Sequence, residues 1–391
     1  MRFKDSLKRI PPLDALGSSL STQTAESQPE AFVDPANTGI VSRETDRTDN
    51  EPAAEPQGAS AVAAAVESAG DSAGTVISNS HREGEGKVSN TIDDVDESTP
   101  LAKELASETR RREKLAGKSL AKPESTRILT VSNQKGGVGK TTTTVNIAAA
   151  LAGAGLNVMV VDIDPQGNAS TALGVEHNSE IESVYDVLIN DSPIADVVRP
   201  SADIPSLLCA PATIDLAGAE IELVSLVARE QRLRRALDVY AEDRKKAGEE
   251  RLDYVLIDCP PSLGLLTVNA FVAASEVLIP IQCEYYALEG LSQLLKNIEM
   301  IQKHLNADLV VSTILLTMYD GRTNLAAQVA SEVREHFPEQ VLRALVPRSV
   351  RISEAPSYQQ TVMTYDPSSS GALSYLEAAT EITEQKTPSP N

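Results

Sequence analysis

The chain has 391 residues, 41% of them hydrophobic, and a formal net charge of −21. That length holds two average domains or one large α/β domain with an added segment, and the acidic balance excludes a surface that attracts nucleic acid over its whole extent, so any such binding needs a local basic patch. The three cysteines, Cys209, Cys259 and Cys283, are far apart and set in apolar runs, which excludes a disulfide framework or a CxxC metal pair and predicts buried thiols.

Residues 1–124 carry 15 Lys/Arg against 22 Asp/Glu and contain no Trp or Tyr. The remaining 267 residues carry 20 Lys/Arg against 34 Asp/Glu and hold all nine Tyr. From 11 to about 100 the chain is rich in Ser, Ala, Glu, Asp, Thr, Pro and Gly and has no sustained periodicity. Such a segment cannot bury enough apolar area to offset its ordering entropy. Residues 1–124 are therefore expected to form a long disordered acidic extension ahead of a folded domain at 125–391. Two short basic segments stand out, at 1–10 and 101–118. The first sets Phe3, Leu7 and Ile10 at helical spacing among Arg2, Lys4, Lys8 and Arg9, and the second is helix-permissive and carries Arg110, Arg111 and Arg112. Both read as solvated, the second as a linker helix. The N-terminus lacks the apolar stretch of a signal peptide, and no run of about 18 apolar residues occurs. A cytoplasmic protein without integral membrane association is expected.

From Arg127 the pattern is regular. A strand at 128–133 leads into a Gly-rich loop and a helix from about 140 to 154. A strand at 158–164 is followed by short helices through 199, and a strand at 206–211 precedes a long helical stretch from about 216 to 247. Strands at 254–259, 276–282 and 309–318 alternate with helices near 264–274, 287–305 and 324–337. A strand at 341–347 and a helix at about 371–384 complete the domain. Unbroken apolar strands alternating with helices predict an α/β fold with a doubly wound, mostly parallel sheet covered on both faces. Ligands of such sheets bind at the carboxyl ends of the strands.

The loop between the first strand and helix reads Gln134, Lys135, Gly136, Gly137, Val138, Gly139, Lys140, Thr141, Thr142. Glycines let the backbone wrap close to phosphate oxygens with N–H groups pointing inward, and the helix start adds partial positive charge. Lys140 then reaches the β- and γ-phosphates of ATP, and the Thr141 hydroxyl ligates Mg2+. A dinucleotide site is excluded, because the GxGxxG spacing is absent and Lys-Thr follows the last glycine. Asp258, ending the apolar strand YVLID, is placed to hold the magnesium ion through water. Asp164 ends VMVVDID ahead of Pro165, Gln166, Gly167 and Asn168. There its carboxylate can orient or deprotonate the attacking water. Asp162 lies two residues earlier on the same strand face.

The KGGVGKTT form departs from the common P-loop, with Gln134 where Gly is usual and Lys135 added before the glycines. It resembles the deviant Walker A of the ParA/MinD family of P-loop NTPases. Similarity continues through DIDPQGNAS (162–170), YVLIDCPPSLG (254–264), TMYDGRTNLA (317–326) and VPRSVRISEAPS (346–357), over about residues 126–385, and is strongest to the chromosome-partitioning, Soj-like branch. The resemblance implies an ATPase that forms a homodimer on ATP binding, with Lys135 reaching across to the partner's phosphates. It also implies binding of non-specific double-stranded DNA by the ATP dimer, stimulation of hydrolysis by a ParB-like centromere-binding protein, and a nucleoid-associated location. Arg322 and Arg351, with Arg348 nearby, match the DNA-binding arginines. Pro347 and Ser349 fall where the family contacts adenine, with Ser349 standing in place of Asn.

Rival readings make different demands. A MinD-like ATPase cycling on a membrane or other scaffold needs a basic amphipathic C-terminal helix, whereas this chain ends in LSYLEAATEITEQKTPSPN. An iron–sulfur ATPase needs cysteine ligands bridging a dimer, and a non-enzymatic binding module has no use for the full set of Lys140, Thr141, Asp164 and Asp258.

Overall fold

The structure is a computed structural model that describes residues 99–385. Expectations for residues 1–98 and 386–391 lie outside the described residues. In chain order the helices and strands are α1 (Pro100–Leu115), β1 (Arg127–Val131), α2 (Lys140–Gly153), β2 (Val158–Asp162), α3 (Asn168–Ala172), α4 (Val184–Ile189), α5 (Ile194–Val197), β3 (Arg199–Pro200) and β4 (Leu207–Ala210). They continue with α6 (Leu216–Leu223), α7 (Arg232–Ala247), β5 (Tyr254–Asp258), α8 (Leu265–Ala273), β6 (Glu276–Gln282) and α9 (Ala287–His304). The last are β7 (Val310–Tyr319), α10 (Asn324–His336), β8 (Val341–Pro347), α11 (Val350–Glu354), α12 (Val362–Tyr365) and α13 (Ser370–Glu384).

Among the described residues the strands form one eight-stranded sheet in the order β3-β4-β2-β5-β1-β6-β7-β8. Every pairing is parallel except β3 with β4. The chain first builds outward from β1 on one side, through β2 and β4, and later on the other, through β6, β7 and β8. That reversal beside β1 is the switch point at which a doubly wound sheet opens a crevice. Strand alternation divides the core. Val158 and Val160 of β2 and Leu256 of β5 pack into the cluster beneath α2 and α13. Met159, Val161, Val255 and Ile257 face the opposite cluster, under α7 and α8. Two-sided burial is why these strands read as continuous apolar runs. No helix among the described residues is long and apolar enough to cross a membrane.

Three features differ from expectation. The helical stretch at 216–247 is broken: α6 stops, Ala228 adopts a left-handed φ of 52°, and a 3-10 turn at Arg229–Gln231 precedes α7. Asn269 of α8 stabilises the break, accepting from Leu233 N at 3.2 Å and donating to the Arg229 carbonyl at 2.8 Å. β3 has only two residues, one of them proline, so no periodicity announces it. The helix within 101–118 forms, as α1, but it does not stand free in solvent. Arg111 grips Glu377 of α13 through Nε at 2.9 Å and Nη2 at 2.6 Å. Arg112 donates to the carbonyls of Pro367, Ser368 and Ser369, and Leu120 is buried in the core.

Candidate functional site

The carboxyl ends of β1, β2 and β5 converge on the loop at 132–139. Asn133 donates to the Pro280 carbonyl at 2.8 Å and accepts from Lys135 N at 3.0 Å. Thr317, near the end of β7, donates to the Val138 carbonyl at 2.9 Å, and the Val138 side chain is buried. The loop is thus pinned from β6 and β7 while its glycines curve the backbone. Gly137 and Gly139 have φ of 73° and 88°, a region that costs a side-chained residue strain. A Cβ on Gly136, Gly137 or Gly139 would meet nothing within 4 Å, so the concave side is open. Gly139 is the N-cap of α2 and supplies no side-chain cap. The first-turn N–H groups of α2 therefore lack an internal partner, which makes an anion site.

Beneath this cradle lies a buried polar cluster. Thr141 donates to Asp258 Oδ2 at 2.7 Å, and Thr144, one turn further along α2, donates to Oδ1 at 3.0 Å. Asp258 pairs in register with Asp162 across β5 and β2. Burial, with the Asp162 charge adding to it, pushes the Asp258 carboxyl up to about 8, against the pull of the two threonine hydroxyls. Burial likewise raises Asp162 to about 6, although Ser170 donates to it through both N and Oγ at 2.8 Å and Asp164 N donates at 3.1 Å. Asp162 thereby fixes the turn that carries Asp164. The Asp164 carboxylate is nearly buried and accepts from Gln166 N at 3.0 Å. Lys140 is also buried, and that burial lowers its ammonium pKa, opposed by the charges of Asp258 and Asp164.

These residues fit a nucleoside triphosphate with magnesium. A hydroxyl and a carboxylate side by side are hard oxygen donors suited to Mg2+, set under an open phosphate cradle. Bound there, the ion would neutralise charge on phosphate oxygens. Lys140 and the α2 N-terminus can hold the phosphates, Thr141 and Asp258 the ion. Asp164 adds a third carboxylate close to Asp162 and Asp258, a group able to accept a proton.

Lys135 sits on the loop's rim, 40% exposed, and pairs with Glu284, which follows β6. Pro347 ends β8 opposite Tyr319 of β7. Ser349 is the N-cap of α11, and its carbonyl accepts from Ser353 at 3.3 Å. Arg322, Arg348 and Arg351 are exposed, Arg322 in the turn after β7 and Arg348 and Arg351 just after β8. Arg322 pairs with Asp320 at 2.8 Å, and Arg351 with Glu354 at 3.3 Å and Asp366 at 3.5 Å. Sequence reasoning did not find Thr144, Thr317 or Glu284. Thr144 was accessible in principle, three residues beyond Thr141 on one helix face.

Fold and site together define a P-loop ATPase of the doubly wound α/β class. A family model described as AAA domain matches residues 126–311. The chain is 52% identical over 256 residues to the sporulation initiation inhibitor protein Soj of Bacillus subtilis, covering 66% of this chain and 98% of Soj. It is 51% identical over 262 residues to the chromosome partitioning protein ParA of Myxococcus xanthus, covering 67% and 89%. Among solved structures, cobyrinic acid a,c-diamide synthase from Mycobacterium smegmatis, with bound ATP analogue and magnesium, aligns with TM-score 0.55 and 38% identity over 65% of this chain and 93% of that one. The chain belongs to the ParA/MinD family of deviant Walker A ATPases, within its Soj-like ParA group.

Proposed function

We propose that the protein is an ATP-dependent dimerising switch for chromosome or plasmid partitioning. It binds non-specific DNA as the ATP dimer and lets go when a ParB-like protein stimulates hydrolysis. Mg2+ held by Thr141 and, through water, by Asp258 accompanies ATP. Lys140 and the α2 N-terminus bind the phosphates, Lys135 reaches the partner's phosphates, and Asp164 activates water. Pro347 and Ser349 border the base, while Arg322, Arg351 and Arg348 face DNA phosphates. Residues 125–391 form the ATPase domain and 1–124 an acidic extension tied to it by α1. The location that follows is cytoplasmic, on the nucleoid.

The observation that carries this reading is the placement of Lys135. It stands on the exposed rim of a complete P-loop site, in a chain akin to Soj and ParA over nearly their whole length. The cysteines take no part in this reading, since a reactive thiol needs a lowered pKa. Cys209, Cys259 and Cys283 are all buried, and burial raises each thiol, Cys259 to about 12 and Cys283 to about 11.

Phosphate release, measured alone, with duplex of unrelated sequence, and with a ParB-like protein added, tests the proposal. The expected result is slow basal release that rises only when both are present. Light scattering should find an ATP-dependent dimer that Lys135→Ala loses while still binding ATP. An ordinary ATP dimer in that variant removes the role given to Lys135.

A further inference from the structure

Resting on the reading of Arg322 as a DNA contact, we infer that Asp320 is a positioning residue that holds the Arg322 guanidinium oriented for a phosphate before DNA arrives.

The geometry lies in the turn after β7. Asp320 Oδ1 accepts from Arg322 Nε at 2.8 Å and from Arg322 N at 3.1 Å, and Oδ2 accepts from Nη2 at 2.8 Å. The Asp320 carbonyl in turn accepts from Thr323 N at 3.1 Å and Thr323 Oγ1 at 3.0 Å. Side chain and backbone of one residue therefore fix the whole turn. A guanidinium has a second bidentate edge, formed by Nη1 and Nη2, that this pairing leaves unused. The Arg322 side chain is 89% exposed while that of Asp320 is 28% exposed, so the carboxylate holds the inner edge and the outer one faces solvent. The same turn is mounted on the nucleotide site. Thr317, which donates to the Val138 carbonyl of the phosphate loop, is followed by Met318 at a left-handed φ of 50° and then by Tyr319, whose carbonyl accepts from Arg348 N at 3.3 Å. Arg351 is held more loosely, its nearest carboxylate oxygens lying at 3.3 and 3.5 Å.

Two effects of Asp320 oppose each other. Its negative charge repels a phosphate, but across the width of a guanidinium and in the high dielectric of an exposed turn that repulsion is weak. Its hydrogen bonds fix an otherwise freely rotating side chain, sparing the complex that ordering cost. Those bonds hold the Asp320 carboxyl down at about 2, so the pairing persists at neutral pH. Ordering outweighs this weak repulsion, and a dimer uses it twice.

Fluorescence anisotropy of the full chain with Mg-ATP, on a duplex of unrelated sequence at several salt concentrations, tests this. Asp320→Ala should weaken binding about five- to tenfold and leave the salt slope at the wild-type value, because the arginine charge remains. Arg322→Ala should weaken binding and also lower the slope by roughly 0.9 per lost phosphate contact. Asp320→Asn, which still offers an acceptor to the Arg322 backbone, should fall between wild type and Asp320→Ala, and it is the scored variant if alanine lowers the melting temperature. Asp308→Asn removes the same charge at the far end of β7, where Asp308 is exposed, and should bind like wild type. Binding as tight as or tighter than wild type in the Asp320 variants, with Arg322→Ala impaired, overturns the positioning role. Unchanged affinity and slope in Arg322→Ala instead overturns the DNA reading of that arginine.

Discussion

Thr141 and Asp258 meet at 2.7 Å, joining the first turn of α2 to the end of β5. Thr144 takes the other carboxylate oxygen at 3.0 Å, so both oxygens of a fully buried carboxylate are engaged by hydroxyls of a single helix face. Asp258→Asn removes the charge while keeping the shape. It should therefore lower ATP affinity in the presence of Mg2+ and leave affinity in excess chelator close to wild type. Calorimetric titration under the two conditions separates the outcomes, and equal losses in both would show that Asp258 does not serve the ion.

Among the described residues Lys140 is the one buried ammonium, and it lies beside the open phosphate cradle. Replacing it with alanine removes a charge-assisted contact, costing roughly 3 kcal/mol, or about a hundredfold in Kd. Titration of Lys140→Ala with ATP should find binding weakened at least that far, and near-normal affinity would falsify the P-loop assignment of this lysine.

What was legible in the sequence is what is written locally. The loop from Lys135 to Thr142 is contiguous, Asp258 closes an apolar strand and Asp164 follows one by two residues, so strand, turn and helix could be placed without knowing the tertiary contacts. The missing parts are contacts between distant segments. Glu284 meets Lys135 only because β1 and β6 are neighbours. Asn269 splits the helical stretch before α7 from α8, 36 residues away. Arg111 finds Glu377 across 266 residues, and a basic run by itself does not distinguish a docked helix from a solvated one. No local period encodes any of these.

Asp164 is oriented by its neighbours: its backbone is tied to Asp162 and its carboxylate to Gln166 N. On the proposed function, Asp164→Ala keeps every group assigned to the phosphates and loses only the carboxylate assigned to accept the proton. The expected behaviour is ATP binding within about threefold of wild type, with hydrolysis reduced by 10²-fold or more, on the order of a lost general base. Single-turnover phosphate release measures it, and parental turnover would assign water activation to another residue.

At the opposite end of β1, Arg127 and Glu276 form a bidentate pair at 2.7 and 2.6 Å, both side chains essentially inaccessible. Arg127 also donates to the Ile382 carbonyl at 2.6 Å, tying α13 to the sheet. Burial opposes the arginine's charge, yet the bonds and charge of Glu276 prevail and raise its pKa. Glu276→Ala strands that charge in the core and should cost about 3–5 kcal/mol in urea unfolding. Glu276→Gln, which still accepts one hydrogen bond, should cost less. A loss below about 1 kcal/mol for the alanine variant would mean that water reaches the site.

The last prediction concerns pH. In the chain without nucleotide, Asp258 is raised to about 8 and Asp162 to about 6, chiefly by burial, against about 3.9 for an unfolded aspartate. Between the unfolded and folded values the native state therefore binds more protons than the unfolded one, and stability falls as pH rises. The contribution is complete below about pH 4 and is lost as pH climbs through the folded values, Asp162 first and Asp258 last. Unfolding free energy of the nucleotide-free chain should drop between pH 6 and 8.5, on the order of 2 kcal/mol from Asp258. Asp258→Asn should flatten that part of the curve. Mg-ATP favours the charged carboxylate, so binding at neutral pH should release protons, read as a heat that changes with the ionisation enthalpy of the buffer. Heats independent of buffer, together with a pH-stability curve that Asp258→Asn leaves unchanged, would show that Asp258 is already ionised in the empty site.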